Sequence, residues 1–161
     1  MTRLDQRIQK CAVCGTEKKV IDILSTSAFG SMDLDTRPPM MARSALVHQI
    51  QYCENCHYSN NSISSKIRGF NKVMLESKEY LDVVNKDINR TAKAFILSGQ
   101  LKSNVHDYED AGFQYLKAAW VFDDIRDQKN GKDARKKSLE FFNIYLKDND
   151  DQNLSIICVD I

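Results

Sequence analysis

The sequence predicts an α+β protein, a small cysteine-clasped head with short strands followed by a mostly helical tail. Three observations predict it. Two CxxC pairs, Cys11 with Cys14 and Cys53 with Cys56, stand within the first 56 residues. Short runs rich in β-branched residues lie beside them. Beyond residue 62 there is no proline, and apolar residues recur at the spacing of helix faces.

The cysteines come first. A CxxC turn places two sulfurs on one side of the chain, and two such turns can close a tetrahedron around one metal ion. Four thiolates suit zinc, and a closed four-sulfur shell leaves no position for a reacting water. Cys11, Cys14, Cys53 and Cys56 are therefore the expected ligands of a structural Zn2+. Gly15 follows the first pair, where a positive φ turns backbone N–H groups toward the sulfurs. His57 follows the second, and histidine tolerates that conformation better than most residues. Lys10, Lys18 and Lys19 lie close in sequence to a site that carries negative charge. A thioredoxin-like redox pair would need one CxxC in a βαβ setting, which the sequence does not offer. The fifth cysteine, Cys158, sits on an apolar helical stretch as a buried, inert thiol. His48 reads as a strand-face residue and His106 as a solvated or capping residue at a helix start.

Taken in order, Leu4 and Ile8 belong to a short lead-in to the first knuckle. Residues 20–25 read as a strand. A small, polar stretch follows over 25–31, and then Asp33-Leu34-Asp35-Thr36-Arg37-Pro38-Pro39, where both prolines exclude regular helix or central strand. Residues 45–52 read as extended, with Leu46, His48, Ile50 and Tyr52 on one face, running into the second knuckle. Strand, knuckle and strand are the parts of a zinc ribbon, so residues 1–62 form a zinc-ribbon-like head.

Residues 63–161 form the helical tail. Ile63, Ile67, Phe70 and Met74 are spaced for a first helix, and Tyr80, Leu81, Val84 and Ile88 for a second. A third spans 90–101 and a fourth 106–125. Asn130-Gly131 marks a break, and a fifth helix follows over 132–147. A loop with capping residues covers 148–153. A last helix starts at Leu154 with no stop signal before the end, so the tail is expected to be incomplete at its C-terminus.

The third and fourth helices fit a tetratricopeptide-like (TPR-like) pair. With Gly99 at the glycine position of that motif, Phe95 takes the early aromatic position. Ala111, Tyr115 and Ala118 then take the small, aromatic, small pattern of the second helix. Ala111 and Ala118 share a face and permit close helix approach. In this register Lys93, Ile96 and Gln100 point into a concave face, as candidate partner contacts.

The charges nearly cancel, with 23 basic and 22 acidic residues and a net charge of +1. That argues against broad electrostatic binding of nucleic acid. The first ten residues lack the apolar core of a secretory signal, and no apolar run is long enough to span a bilayer. The expected location is the cytoplasm, where paired cysteines bind metal rather than form disulfides.

Four stretches in order carry a resemblance: 11–15, 29–38, 53–58, and 116–120 with Asp123 and Asp124. Together they resemble an uncharacterised bacterial family of the domain-of-unknown-function 2225 type, with a small zinc-binding head and repeat-like helices. The family supplies no reaction. The residues themselves predict a module that binds a protein or peptide, with Asp33, Asp35 and Arg37 as further candidate contacts on a loop pinned by the metal, whose segment 29–43 is expected to pack near the zinc and to form either a partner contact or the junction of head and tail. Two alternatives stay open: a nucleic-acid-binding ribbon, and a metal-dependent hydrolase using Asp33 and Asp35 with a second cation. No nucleophile–base set or phosphate-binding glycine loop accompanies them, so no enzyme activity is expected.

Overall fold

The computed structural model describes residues 2–161, with Met41 and Asp160 described by backbone only. The head holds two antiparallel hairpins. Strands β1 (Arg3–Lys10) and β2 (Glu17–Ser25) form one, and the short strands β3 (Gln51–Tyr52) and β4 (Ser59–Asn60) form the other. Each CxxC pair occupies the tip of one hairpin. The tail holds α2 (Lys78–Asn85), α3 (Arg90–Asn104), α4 (Tyr108–Asp124), α5 (Gln128–Leu146) and α6 (Gln152–Asp160). Between the hairpins lie a strap over residues 26–39, the short helix α1 (Met40–Arg43) and a 3-10 turn at Leu46–His48.

Four sequence expectations are corrected. The lead-in around Leu4 and Ile8 is a full strand, because every residue of Arg3–Lys10 finds a partner in β2. Residues 45–50 are not extended. Ala42, Ala45, Leu46 and Ile50 are buried at helical rather than alternate spacing, and only Gln51–Tyr52 pairs as strand, so His48 lies in the 3-10 turn.

No helix spans 63–74. The Ile63 N–H donates to Gln51 Oε1 at 3.0 Å and the Ile67 N–H to Tyr58 Oη at 2.9 Å, while the Ile63 carbonyl accepts from Ala12 N–H at 2.7 Å. Head groups thus hold the backbone bonds a helix would need. Gly69 adopts φ 82°, and Asn71 caps a 3-10 turn at Lys72–Glu76. Asn130-Gly131 is not a break but the first turn of α5. Asp127 caps that turn by accepting from Asn130 N–H, and a Cβ at Gly131 would meet Asp123 Oδ1 at 3.3 Å. Glycine there serves the close approach of α5 to α4.

The actual break repeats the one before it. Val105-His106-Asp107 and Ile125-Arg126-Asp127 each end a helix, adopt a positive φ at the middle residue (63° and 60°) and begin the next helix with a capping aspartate. Asp107 N–H donates to the Lys102 carbonyl at 3.0 Å and Asp127 N–H to the Phe122 carbonyl at 2.9 Å. Two equivalent reversals therefore stack α3, α4 and α5 as neighbours. Gly99 and Gly112 let them close. A Cβ at Gly99 would stand 2.8 Å from the Tyr115 ring, and one at Gly112 2.3 Å from the Phe142 ring.

Ala111, Ala118, Phe95, Leu116, Trp120 and Phe142 fill the core between these helices. A second core joins head to tail. Cys11, Val20, Cys53, Tyr58 and Ile63 pack in one cluster with Leu75, Tyr80, Leu97 and Leu101. Residue 62 therefore separates two regions of composition, while the apolar packing runs across it.

Candidate metal centre

The two knuckles are built alike. In the first, Cys11 N–H donates to the Thr16 carbonyl at 2.9 Å and Gly15 N–H to the Cys11 carbonyl at 2.8 Å. In the second, Cys53 N–H donates to the Tyr58 carbonyl at 2.9 Å and His57 N–H to the Cys53 carbonyl at 2.8 Å. Gly15 and His57 take positive φ, 76° and 64°, at matching positions. The imidazole of His57 is held by Tyr52, whose Oη lies 2.5 Å from Nδ1. Its carbonyl accepts from Tyr80 Oη at 2.7 Å, which ties the second knuckle to α2.

The four sulfurs converge. Every Sγ of Cys11, Cys14, Cys53 and Cys56 lies within 4.8 Å of the others. Cys11 to Cys56 measures 3.7 Å and Cys14 to Cys53 3.6 Å. A tetrahedron with metal–sulfur bonds of about 2.3 Å has edges of about 3.8 Å. The spacing therefore fits one ion held by four thiolates. Cys11 and Cys53 are buried and free of disulfides, as are the half-buried Cys14 and Cys56.

The electrostatics of the free thiols agree with a need for a cation. Burial pushes the Cys53 and Cys56 thiols up from their ordinary range. At Cys14 burial also acts upward, but hydrogen bonds from Thr16 and Asn55 outweigh it and hold the thiol down at about 5. Four thiolates this close repel one another, and a bound dication reverses that balance. Lys18 sits beside the second knuckle. Its Nζ donates to the Tyr52 carbonyl and to Glu54 Oε2 at 2.9 Å, and Arg90 pairs with the same carboxylate. Burial, then the Arg90 charge, lower the Lys18 pKa.

The strap is bound to the tail. Trp120 Nε1 donates to Asp35 Oδ2 at 2.7 Å, and Arg135 stands 3.6 Å from the same oxygen. Arg37 Nη2 donates to the Trp120 carbonyl at 3.3 Å and pairs with Asp124, with Asp123 3.9 Å from its other nitrogen. Asp33 pairs with Arg43 at 2.6 Å. Both carboxylates of the proposed hydrolase pair are thus engaged by protein donors. Among the described residues, the one group of three or more ligand-type side chains is the four-cysteine cluster.

Lys93 and Gln100 lie against α2, donating to the carbonyls of Val84 at 2.9 Å and Glu79 at 3.3 Å, and Ile96 is half-buried against the core. Helical spacing in the sequence carries no sign that α2 would lie over this face. It also missed Arg135, which reaches both Asp35 and Asp123; its place in a basic run masked it. Cys158 is half-buried beside the tail core. His106 occupies the positive-φ reversal before α4, with Nδ1 2.7 Å from Tyr108 Oη.

Two cysteine knuckles on short hairpins, joined to a mostly helical tail, define a zinc-ribbon-like head of the four-cysteine type. The chain belongs to a family of uncharacterized proteins conserved in bacteria (DUF2225), whose profile matches residues 4–157. No curated protein and no solved structure matches the chain.

Proposed function

We propose that this chain is a protein- or peptide-binding module in which a structural Zn2+ on Cys11, Cys14, Cys53 and Cys56 holds the head, and the outer side of the strap receives the partner. One observation carries the binding surface. The strap's polar side chains Asp35 and Arg37 are locked onto Trp120 and Asp124, yet Phe29, Met32, Leu34 and, just beyond it, Met40 stand exposed. Large apolar side chains presented in numbers on a fixed segment favour association. Holding the segment beforehand lowers the entropy cost of binding.

The spacing of Gly99, Phe95, Ala111, Tyr115 and Ala118 supports a tetratricopeptide-like tail, whose concave side α2 covers. Partner contact at Lys93, Ile96 and Gln100 would require α2 to move aside, so the strap is the favoured surface. A reducing, cytoplasmic location accords with thiolates kept for metal, and among the described residues no helix is long and apolar enough to cross a membrane.

The test is affinity capture from the source cell with wild type and with a Phe29→Ser, Leu34→Ser double variant, metal content being measured on both. Loss of the captured partner with zinc retained is the expected result. Undiminished capture would remove the strap from the reading, and salt-sensitive capture of nucleic acid in place of protein would overturn it.

A further inference from the structure

The head leaves one sheet face and one strand edge uncovered. In the β1–β2 ladder Leu4 stands opposite Ile23, Gln6 opposite Ile21 and Ile8 opposite Lys19. Opposed residues of an antiparallel pair share a face. The alternate face, carrying Val20 and Asp22, is turned onto the molecule: Val20 is buried, and Asp22 accepts from Gln51 Nε2 at 3.0 Å. On the open face Leu4 is 47% exposed, Ile8 64% and Ile21 40%. A two-stranded hairpin by itself is marginal in water, and further strands paired along its free edge would reinforce it.

The backbone says which edge is available. β2 runs beside the Leu46–His48 turn, leaving β1 outermost. Cys11 N–H donates to the Thr16 carbonyl. Continued along the register, the hydrogen-bonded pairs are Gln9 with Lys18, Arg7 with Val20 and Asp5 with Asp22. The N–H and C=O groups of Leu4, Gln6 and Ile8 therefore point away from β2. Among the described residues, β1 makes backbone hydrogen bonds to no segment other than β2.

We propose that β1 pairs antiparallel with β1 of a second copy of this chain, on a twofold axis through Gln6. The side chains select that register. With the axis at Gln6, Leu4 faces Ile8 of the second copy, Gln6 faces its own counterpart, and Asp5 faces Arg7 of the second copy. Moving the axis to Asp5 opposes two aspartates, and moving it to Arg7 opposes two arginines. Opposite charges in facing positions stabilise a strand pair and like charges oppose it. Arg7 already pairs with Asp22, whereas Asp5 has no ion pair among the described residues. The paired molecule has a four-stranded sheet, β2-β1-β1-β2, with the apolar residues of both copies on one continuous face. An exposed edge with apolar side chains is otherwise a site of uncontrolled association.

Sedimentation equilibrium of the full zinc-loaded chain over a range of concentrations tests this. A dimer is expected. Asp5→Arg opposes cations across the axis and should weaken the dimer by at least roughly tenfold. Mixing D5R chains with R7E chains should restore dimers that neither forms alone, and Val159→Lys, on α6, should leave the wild-type association unchanged. Independently, hydrogen exchange at the Leu4, Gln6 and Ile8 amides should slow as the dimer forms. A monomer at every concentration overturns the proposal. So does a dimer indifferent to D5R, or one that forms without protecting those three amides.

Discussion

At the level of single residues, the sulfurs and the strap make separate demands. Each cysteine supplies one corner of a tetrahedron whose 3.6 and 3.7 Å edges leave room for an ion and little else. Cys53→Ser is predicted to abolish stoichiometric metal binding, measured by elemental analysis, because an uncharged hydroxyl is a poor substitute for a thiolate. Arg37 is a different case. Its side chain is 11% exposed and lies between Asp123, Asp124 and the Trp120 carbonyl. Arg37→Ala removes the partner of the half-exposed Asp124 and the donor to the Trp120 carbonyl, while Asp123 keeps Arg135, and should cost about 1–2 kcal/mol in denaturant unfolding, with metal content unchanged. Asp35→Ala removes the acceptor of a buried indole N–H, at a cost of about 1–3 kcal/mol, and should shift the emission of Trp120, the only tryptophan. The cysteine cluster was legible in the sequence because CxxC spacing is a local property of a turn. The strap's contacts were not, since Asp35 meets Trp120 across 85 residues of chain, a distance that periodicity cannot span.

At the level of elements, helices α3, α4 and α5 were legible from their apolar spacing, and the alanines at 111 and 118 marked their contact. What misled was glycine and local apolar spacing. Gly131 suggested a break but serves close packing, while the true reversals use His106 and Arg126 at positive φ, residues that carry no strong turn signal. The spacing of Ile63, Ile67, Phe70 and Met74 imitated a helix whose backbone bonds are held by Tyr58, Gln51 and Ala12 instead. Two predictions belong here. Ala118→Leu should overpack the α3–α4 contact and lower tail stability by roughly 1–3 kcal/mol in thermal or denaturant melts. Asp127→Ala should remove the cap of α5 and lower the melting temperature of the tail, as loss of an N-cap aspartate does. Ordinary tolerance at Ala118 would remove the close-packed register on which the repeat reading rests.

At the level of the whole molecule, head and tail share their second core. Tyr80 of α2 donates to the knuckle at His57, Ser59 Oγ donates to the Ala94 carbonyl of α3 at 2.7 Å, and Cys11 and Cys53 pack in one cluster with Leu97 and Leu101. The four-cysteine cluster therefore sits where losing a metal held there would reach beyond the hairpins. A head this small has little core of its own, and zinc bound to four thiolates contributes roughly 10–16 kcal/mol of apparent binding energy in small peptides. In the proposed reading one zinc ion on Cys11, Cys14, Cys53 and Cys56 organises the head and, through it, the seating of α2. It is tested most directly by measuring zinc per chain on the purified protein and following hydrogen exchange as a chelator withdraws the metal. One zinc per chain is expected and, on chelation, loss of protection in both hairpins and α2 while α4 and α5 stay protected. A chain that purifies without metal and keeps full protection at residues 11–16 and 53–58 would contradict it.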